Sequence, residues 1–263
     1  MSRASLKSVS RLIDIANDEK PVNEQFLTDV CRSIELESEK HWGIPSKTFK
    51  PSGMRCPRDN YYTLMGVEPD KGSTSHNMIG IVNSGSDIHE RMQSAISKMK
   101  DNGIDCEYVS VPDFIESRGL TDLVIREQYG YETKLYNTKY NISFMLDGII
   151  KYRGKYYILE IKTETSNKWY SRDGVDKKHH NQGIAYSLNM GLSDVMFLYI
   201  DRDMFNKKAY IFHVTDDMRK GMVDYINTVN GYVERQIVPP KPDNIAKNIC
   251  AYCGYQTQCR KDG

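Results

Sequence analysis

Four of the six cysteines stand at the two ends of an otherwise ordinary sequence of 263 residues. Cys250, Cys253 and Cys259 lie together in Cys-Ala-Tyr-Cys-Gly-Tyr-Gln-Thr-Gln-Cys, and Cys56 stands far upstream in Met-Arg-Cys-Pro-Arg-Asp. Thiols at Cys-x2-Cys-x5-Cys spacing need a fourth ligand to close a tetrahedral or cuboidal site. If Cys56 is that ligand, the fold must return its last residues to a point near its beginning. Disulfides are disfavoured in an intracellular protein, and spacing alone does not choose between structural zinc and an iron–sulfur cluster. Cys31 and Cys106 have no clustered neighbour and read as buried or incidental thiols.

Hydrophobic residues make up 39% and charged residues 27% of the chain, which is enough apolar surface for a folded core. The net charge is only +1, so a nucleic-acid partner has to be argued from local patches. No apolar run approaches the ~20 residues that span a bilayer, and the start Met1-Ser2-Arg3-Ala4-Ser5-Leu6-Lys7 lacks a signal-peptide core. The expectation is a soluble, cytoplasmic protein without a membrane partner.

Hydrophobic periodicity organises the rest. Residues 1 to about 44 read as helical, with Phe26, Leu27, Val30, Cys31 and Ile34 at helical spacing after Pro21. Residues 45–69 read as irregular. Ser84–Met99 is expected as a helix capped by Ser84 or Ser86, with His89 in its first turn. Tyr-rich residues 107–140 read as strand or loop. Ser143–Tyr152 and Lys155–Thr163 are expected as strands joined through Arg153-Gly154 in a hairpin. A helix at Asn181–Asn189, strands at Val195–Ile200 and Tyr210–Val214, and a helix at Asp216–Val233 follow. Pro239, Pro240 and Pro242 mark a linker into the cysteine tail. The order predicts an α/β fold with a mixed sheet covered by helices on both sides.

Inside that pattern lies a set of charges in an unusual place. Residues two apart on a strand face the same way, so Glu160 and Lys162 project together while Leu159 and Ile161 pack the opposite side. Chance alone supplies roughly five acid-x-base pairs in a chain of this composition, so the spacing carries little weight by itself. Its position in an apolar strand carries more, because buried charge is costly without a purpose. The preceding strand delivers Asp147, and a hairpin would bring Asp147 and Glu160 close enough to share a divalent ion. Carboxylates hold Mg²⁺ or Mn²⁺, which polarises a phosphodiester, and a neighbouring lysine stabilises developing negative charge. His89 in Gly85-Ser86-Asp87-Ile88-His89-Glu90 and the pair Gln182 and Tyr186, one turn apart on a helix, are ordinary surface and packing residues when read singly.

In order, Gly-x-x-x-His-Glu, Asp-Gly, Glu-x-Lys and Gln-x-x-x-Tyr resemble the RecB-like branch of the PD-(D/E)XK nuclease superfamily. The resemblance covers about residues 54 to 260. It implies a restriction-endonuclease-like mixed sheet flanked by helices. It also implies metal binding by His89, Asp147, Glu160 and the carbonyl of Ile161, catalysis by Lys162 with Asp147 and Glu160, and contact of Gln182 and Tyr186 with DNA. Leu146 stands where the superfamily's name has proline, which leaves the aspartate in place. The CRISPR-associated RecB-like exonucleases and the AddB nuclease domain are similar in carrying one cysteine before the core and three after it. That likeness implies a four-iron, four-sulfur cluster on Cys56, Cys250, Cys253 and Cys259 that staples the helical periphery, with zinc as the alternative.

The implied organisation is an N-terminal helical region over residues 1–50, a nuclease core over 51–238 and a cysteine tail over 239–263. The implied activity is a metal-dependent DNA exonuclease acting on single-stranded ends or flaps, in recombination, repair, phage DNA metabolism or CRISPR adaptation. A helicase, a recombinase, a CRISPR integrase or further copies of the chain are the partners such a nuclease works with. Alternatives are a catalytically weak DNA-binding or scaffolding subunit and a zinc-stabilised nucleic-acid-binding module. Lys177, Lys178 and Trp169, with Arg55 and Arg58 beside Cys56, are the local groups expected to meet phosphates and bases.

Overall fold

The computed structural model describes residues 21–40, 46–70, 75–243, 245 and 247–263. The expected helical start over residues 1–20 lies outside them. Helix α1 (Val22–Lys40) forms where the apolar spacing predicts it, with Phe26 and Leu27 exposed. Helix α2 (Pro57–Met65) occupies part of the stretch expected to be irregular. Pro57 is at its first turn, where a missing amide hydrogen costs nothing, and Gly66 closes it in the left-handed conformation. Helix α3 (His76–Ser97) starts eight residues earlier than expected, so Ser84 and Ser86 lie inside it and His89 sits in mid-helix.

The described residues fall in two compact units. One holds α1 and α3 as far as residue 83, and there the His76 amide and ring both approach Glu35 Oε1 at 3.2 Å. The other holds residues 44–72 and 84–263.

The second unit is built on two sheets. Strands β1 (Cys106–Val109), β5 (Gly148–Tyr152), β6 (Lys155–Glu164), β7 (Asp194–Asp201) and β8 (Lys207–His213) form a five-stranded sheet in the order β1-β5-β6-β7-β8. Only β6 and β7 run parallel, joined by a crossover containing α5 (Ser166–Tyr170) and α6 (Lys177–Met190). Short α4 (Val111–Ser117) follows β1. Strands β2 (Leu123–Tyr129), β3 (Glu132–Asn137) and β4 (Ile142–Leu146) form a separate antiparallel sheet. The stretch 143–152, expected as one strand, is therefore two, and the chain passes from the small sheet to the large one at Asp147.

Alternation along β6 sets both layers. Leu159 and Ile161 pack against Ile88, Met92 and Ile96 of α3. Ile158 belongs to the opposite layer with Ala185, Tyr186 and Met190 of α6, Val195, Phe197 and Tyr199 of β7, and Met222, Ile226 and Val229 of α7 (Asp216–Arg235). The sheet is mixed and flanked by helices, as the element order predicts. Helices α8 (Lys247–Ala251) and α9 (Gln256–Lys261) form the cysteine tail.

The tail lies on α2. Arg58, only 4% exposed, donates to the Pro239 carbonyl at 2.8 Å and the Cys259 carbonyl at 3.2 Å. Tyr62 donates to Asp262 at 2.6 Å, and the Asp70 amide donates to the Gly254 carbonyl at 2.6 Å. Tyr61, Tyr62 and Tyr255 form a small buried cluster against which Cys253 and Cys259 pack. The expectation that Arg58 meets phosphate is thus corrected, since its guanidinium is buried and spent on carbonyls of the tail.

Candidate active site

The break between β4 and β5 makes the centre of the site. Asp147 is buried, and its Oδ2 accepts the Ile161 amide of β6 at 2.6 Å. Its carbonyl accepts from Gln93 of α3 at 3.0 Å and from the Tyr108 hydroxyl of β1. Gly148 is required next, because a Cβ there would overlap the Tyr108 ring. The other carboxylate oxygen of Asp147, Oδ1, faces His89 Nδ1 at 3.3 Å, and Glu132 Oε1 lies 3.8 Å from the same nitrogen. The ligand atoms of His89, Glu132 and Asp147 lie within 4.8 Å of one another. Among the described residues no other trio of His, Cys, Asp or Glu is gathered so closely.

Burial opposes the charged form of His89, but hydrogen bonds to Asp147 and Glu132 and the charges of Asp147 and Glu160 outweigh it and raise its pKa to about 9.

Glu160 is the second carboxylate, 2% exposed. Its Oε1 is paired with the Lys162 ammonium and accepts from Gln182 Nε2 at 2.7 Å. Its Oε2 is buried with no hydrogen-bond partner. Burial and the Asp147 charge push the Glu160 pKa up, with Lys162 pulling the other way. An unpartnered buried carboxylate oxygen is costly, and a cation relieves it. The donor set of one imidazole and three carboxylates, with one oxygen unsatisfied, fits a hard divalent ion such as Mg²⁺ or Mn²⁺.

Gln182 and Tyr186 share one face of α6, as their spacing predicts, and that face is buried, at 9% and 4% exposure. Gln182 Nε2 also donates to the Tyr186 hydroxyl at 2.7 Å, which donates to the Met145 carbonyl at 2.8 Å. The chain of bonds runs from Glu160 to the end of β4.

The remaining expected contacts lie elsewhere. Trp169 is half-buried against the core and donates to the Tyr199 carbonyl at 3.3 Å, while Lys208 stands over its ring. Lys178 lies 3.9 Å from Asp176, and burial with the neighbouring Lys168 lowers its pKa to about 8. Lys177 is exposed at the start of α6.

Cys56 caps α2, where burial pushes its thiol pKa up and the Asp59 and Arg58 amides pull it down. Cys253 Sγ accepts from the Tyr255 amide at 3.4 Å, and Cys259 Sγ lies 3.6 Å from Arg58 Nη1. Burial raises the Cys253 pKa to about 11, with Cys56 and Cys259 close enough to add to the rise. Cys250 is half-buried on α8, and among the described residues no three of the four thiols are gathered as closely as the His89, Glu132 and Asp147 ligand atoms. Cys106 is buried on β1 of the large sheet and Cys31 is half-buried on α1.

Glu132, Gln93 and Tyr108 were not legible as site residues. The alternation of half-buried Glu132, Lys134 and Tyr136 with buried Thr133, Leu135 and Asn137 is the signal that puts Glu132 on a polar face of β3.

No protein-family model and no curated protein sequence matches this chain. Solved structures do. SSO0001 is similar at 18% identity over 89% of this chain and 96% of that one, with a TM-score of 0.46. LHK-Exo, solved in complex with dAMP, matches at 11% identity over 72% of this chain and 89% of its own, with a TM-score of 0.42. A candidate exonuclease from Eubacterium rectale matches at 14% identity over 78% and 88%, with a TM-score of 0.35. At those levels the chemistry of the site rests on its own geometry.

Proposed function

We propose that this chain is a metal-dependent DNA nuclease of the PD-(D/E)XK type, an exonuclease on single-stranded ends or flaps. The observation that carries the reading is Glu160, a buried carboxylate with one oxygen unsatisfied, set beside Asp147 and Lys162 at the junction of two sheets. His89, Asp147 and Glu160 would hold the ion with the Ile161 carbonyl, and Glu132 is a further oxygen donor within reach. A divalent ion bound there supplies Lewis-acid polarisation of the phosphodiester and a lowered pKa for water. Lys162 stabilises charge that develops on the phosphoryl oxygens. Gln182 fixes the Glu160 carboxylate, and Tyr186 fixes Gln182 against Met145. Ile161 and Tyr108 hold Asp147 at both its carboxylate and its carbonyl.

The same reading assigns Cys56, Cys250, Cys253 and Cys259 to a four-iron, four-sulfur cluster, with zinc as the alternative, in a staple that joins α2 to the tail. No helix among the described residues is long and apolar enough to cross a membrane. Recombination, repair, phage DNA metabolism and CRISPR adaptation are the settings such an enzyme serves, with a helicase, recombinase or integrase as partner.

The test is release of nucleotides from end-labelled single-stranded DNA by anaerobically purified protein with Mn²⁺, beside Asp147→Ala. Metal-dependent release by the wild type and none by the variant is expected. No release by well-folded, metal-supplied wild type would overturn the reading in favour of a DNA-binding or scaffolding role. Iron content and visible charge-transfer absorbance decide the cluster, since zinc gives none.

A further inference from the structure

A cleft of about 870 Å³ opens beside the metal centre, and Gln182 and Tyr186 line one end of it. Lys47, Lys50, Arg126, Lys134, Tyr136 and the single carboxylate Glu127 are among the residues that line the rest. None of these cations was singled out by the local charge pattern of the sequence, because they come from separate segments.

The fold gathers them in a definite way. Glu132, Lys134 and Tyr136 share the accessible side of β3, and their partners Met145 and Ser143 on β4 line the same cleft. One strand thus carries Glu132 at the metal end and Lys134 and Tyr136 progressively further along. Arg126 of β2 stacks over the Tyr136 ring at 4.9 Å, a flat cation on an aromatic plane. The opposite wall is the segment from Ser46 to Pro51, hung on β4 through Phe49, whose amide and carbonyl bond Asn141 and Ser143 at 2.9 Å.

Charge distinguishes this cleft from part of the run expected to bind DNA. Lys178 sits against Asp176, as does the neighbouring Lys168, whereas Lys177 is exposed and pairs with no carboxylate among the described residues. Lys134 has one acidic neighbour, Glu127 at 3.2 Å. Among the described residues Lys47, Lys50 and Arg126 pair with no carboxylate. Unneutralised cations held in one concavity repel one another, and an anion offsets that repulsion.

We infer that this cleft holds the unpaired strand of a nucleic acid that leads into the metal centre, with phosphates on Lys47, Lys50 and Arg126 and bases against Tyr136 and Met145. Its volume is that of a site for a drug-sized ligand, which accommodates a short stretch of one strand and not the width of a duplex. Stacking surfaces joined to cations are the means by which single strands are held without regard to sequence. The inference rests on the nuclease reading for the identity of the metal centre, and its test is a binding measurement without metal.

The experiment is fluorescence anisotropy of a labelled oligothymidylate with the full chain in EDTA, over a salt series. Lys50→Glu with Arg126→Glu is expected to weaken binding at least tenfold and to flatten the log–log salt dependence by about 1.4, as expected when two single-strand phosphate contacts are lost. Lys177→Glu with Lys178→Glu is expected to change affinity less than twofold. Both substituted pairs are on exposed side chains, and the milder Lys50→Gln with Arg126→Gln gives the same ordering if charge reversal disturbs folding. Wild-type affinity and salt slope in both the Glu and Gln pairs, or a duplex bound as tightly as the single strand, would overturn the inference. Cleavage by a protein whose cleft variants bind normally sinks the cleft and spares the nuclease. Cleft-dependent binding by a wild type that never cleaves does the reverse.

Discussion

Gln182 Nε2 lies 2.7 Å from Glu160 Oε1, so a helix residue on one layer fixes the carboxylate of a strand in the middle of the sheet. The bond leaves Oε2 as the free oxygen of a buried group. Gln182→Ala is expected to lower kcat about ten- to a hundredfold, the equivalent of a ~1.5–3 kcal/mol hydrogen bond to a charged group. Tyr186→Phe should cost less in kcat, because Gln182 still reaches Glu160. Single-turnover cleavage beside thermal melts checks this. A fall in melting temperature with unchanged kcat would reduce both residues to packing.

Lys162 is half-buried and ion-paired to Glu160, within the site but outside the cluster of His89, Glu132 and Asp147. Lys162→Ala is expected to cut cleavage by about 10²–10³, the scale of losing one preorganised group that stabilises charge in the transition state. Affinity for single-stranded DNA in EDTA should stay within a few fold. Near-normal turnover would remove Lys162 from the mechanism.

Much of this arrangement is legible in the sequence. The period-2 pattern of β6 separates Glu160 and Lys162 from Leu159 and Ile161, and the structure places those pairs on opposite layers. The hairpin at Arg153-Gly154 and the helices around Gln182 and Tyr225 follow from local rules. What was illegible depends on contacts distant in sequence. The run 143–152 has uniform strand character, and nothing local says that it changes sheets at Asp147. Glu132 enters the site only because β3 pairs with β4 at the end that carries Asp147. Helical spacing shows that Gln182 and Tyr186 share a face, but whether that face is wet depends on where the sheet lies.

On the proposed reading, Glu132 and His89 are expected to make separable contributions to metal use. Glu132 is half-exposed and lies 3.8 Å from the imidazole, whereas Asp147 lies at 3.3 Å. His89→Ala is expected to raise the Mn²⁺ concentration for half-maximal cleavage by tenfold or more, and Glu132→Gln by about three- to tenfold, consistent with the cost of disturbing metal ligands and their supports. A metal titration of cleavage measures both. Unchanged midpoints would return Glu132 to the surface of β3 and His89 to a structural role.

His179 gives the stability a pH dependence. Burial, then the charges of Lys162 and Lys178, lower its pKa to about 3, and Nδ1 is bonded to the Tyr199 hydroxyl at 2.9 Å. The unfolded chain takes up this proton near pH 6.5 and the folded chain does not, so the contribution is complete above about pH 6.5 and is lost as pH falls toward 3. By pH 4.5 the loss is expected to be roughly 2.5 kcal/mol. Urea unfolding of wild type and His179→Gln at pH 7 and 4.5 isolates it, because the carboxylates titrate alike in both. Equal losses in the two proteins would show that His179 is charged when folded.

The tail is fastened to α2 by Arg58, independently of the staple proposed on the four thiols. Its guanidinium reaches the carbonyls of Pro239 and Cys259 across about two hundred residues of chain, and Cys56 begins the helix that carries it. Asn60 of the same helix donates to the Gly53 carbonyl at 2.8 Å, at the base of the cleft wall. Arg58→Ala leaves buried carbonyls unpaired and is expected to cost about 3 kcal/mol, a fall of roughly 6–12 °C in melting temperature. Cys56→Ser or Cys250→Ser is expected to lose bound iron and lower the melting temperature as well, since a cross-link over so long a loop restrains the unfolded chain. Because His89, Asp147, Glu160 and Lys162 touch none of the four thiols, weakened binding of single-stranded DNA through a loosened wall should exceed any loss in kcat. Reducing an intact cluster should therefore leave the cleavage rate nearly unchanged. A large and reversible change in rate on reduction and reoxidation, with iron retained, would replace the staple by redox control.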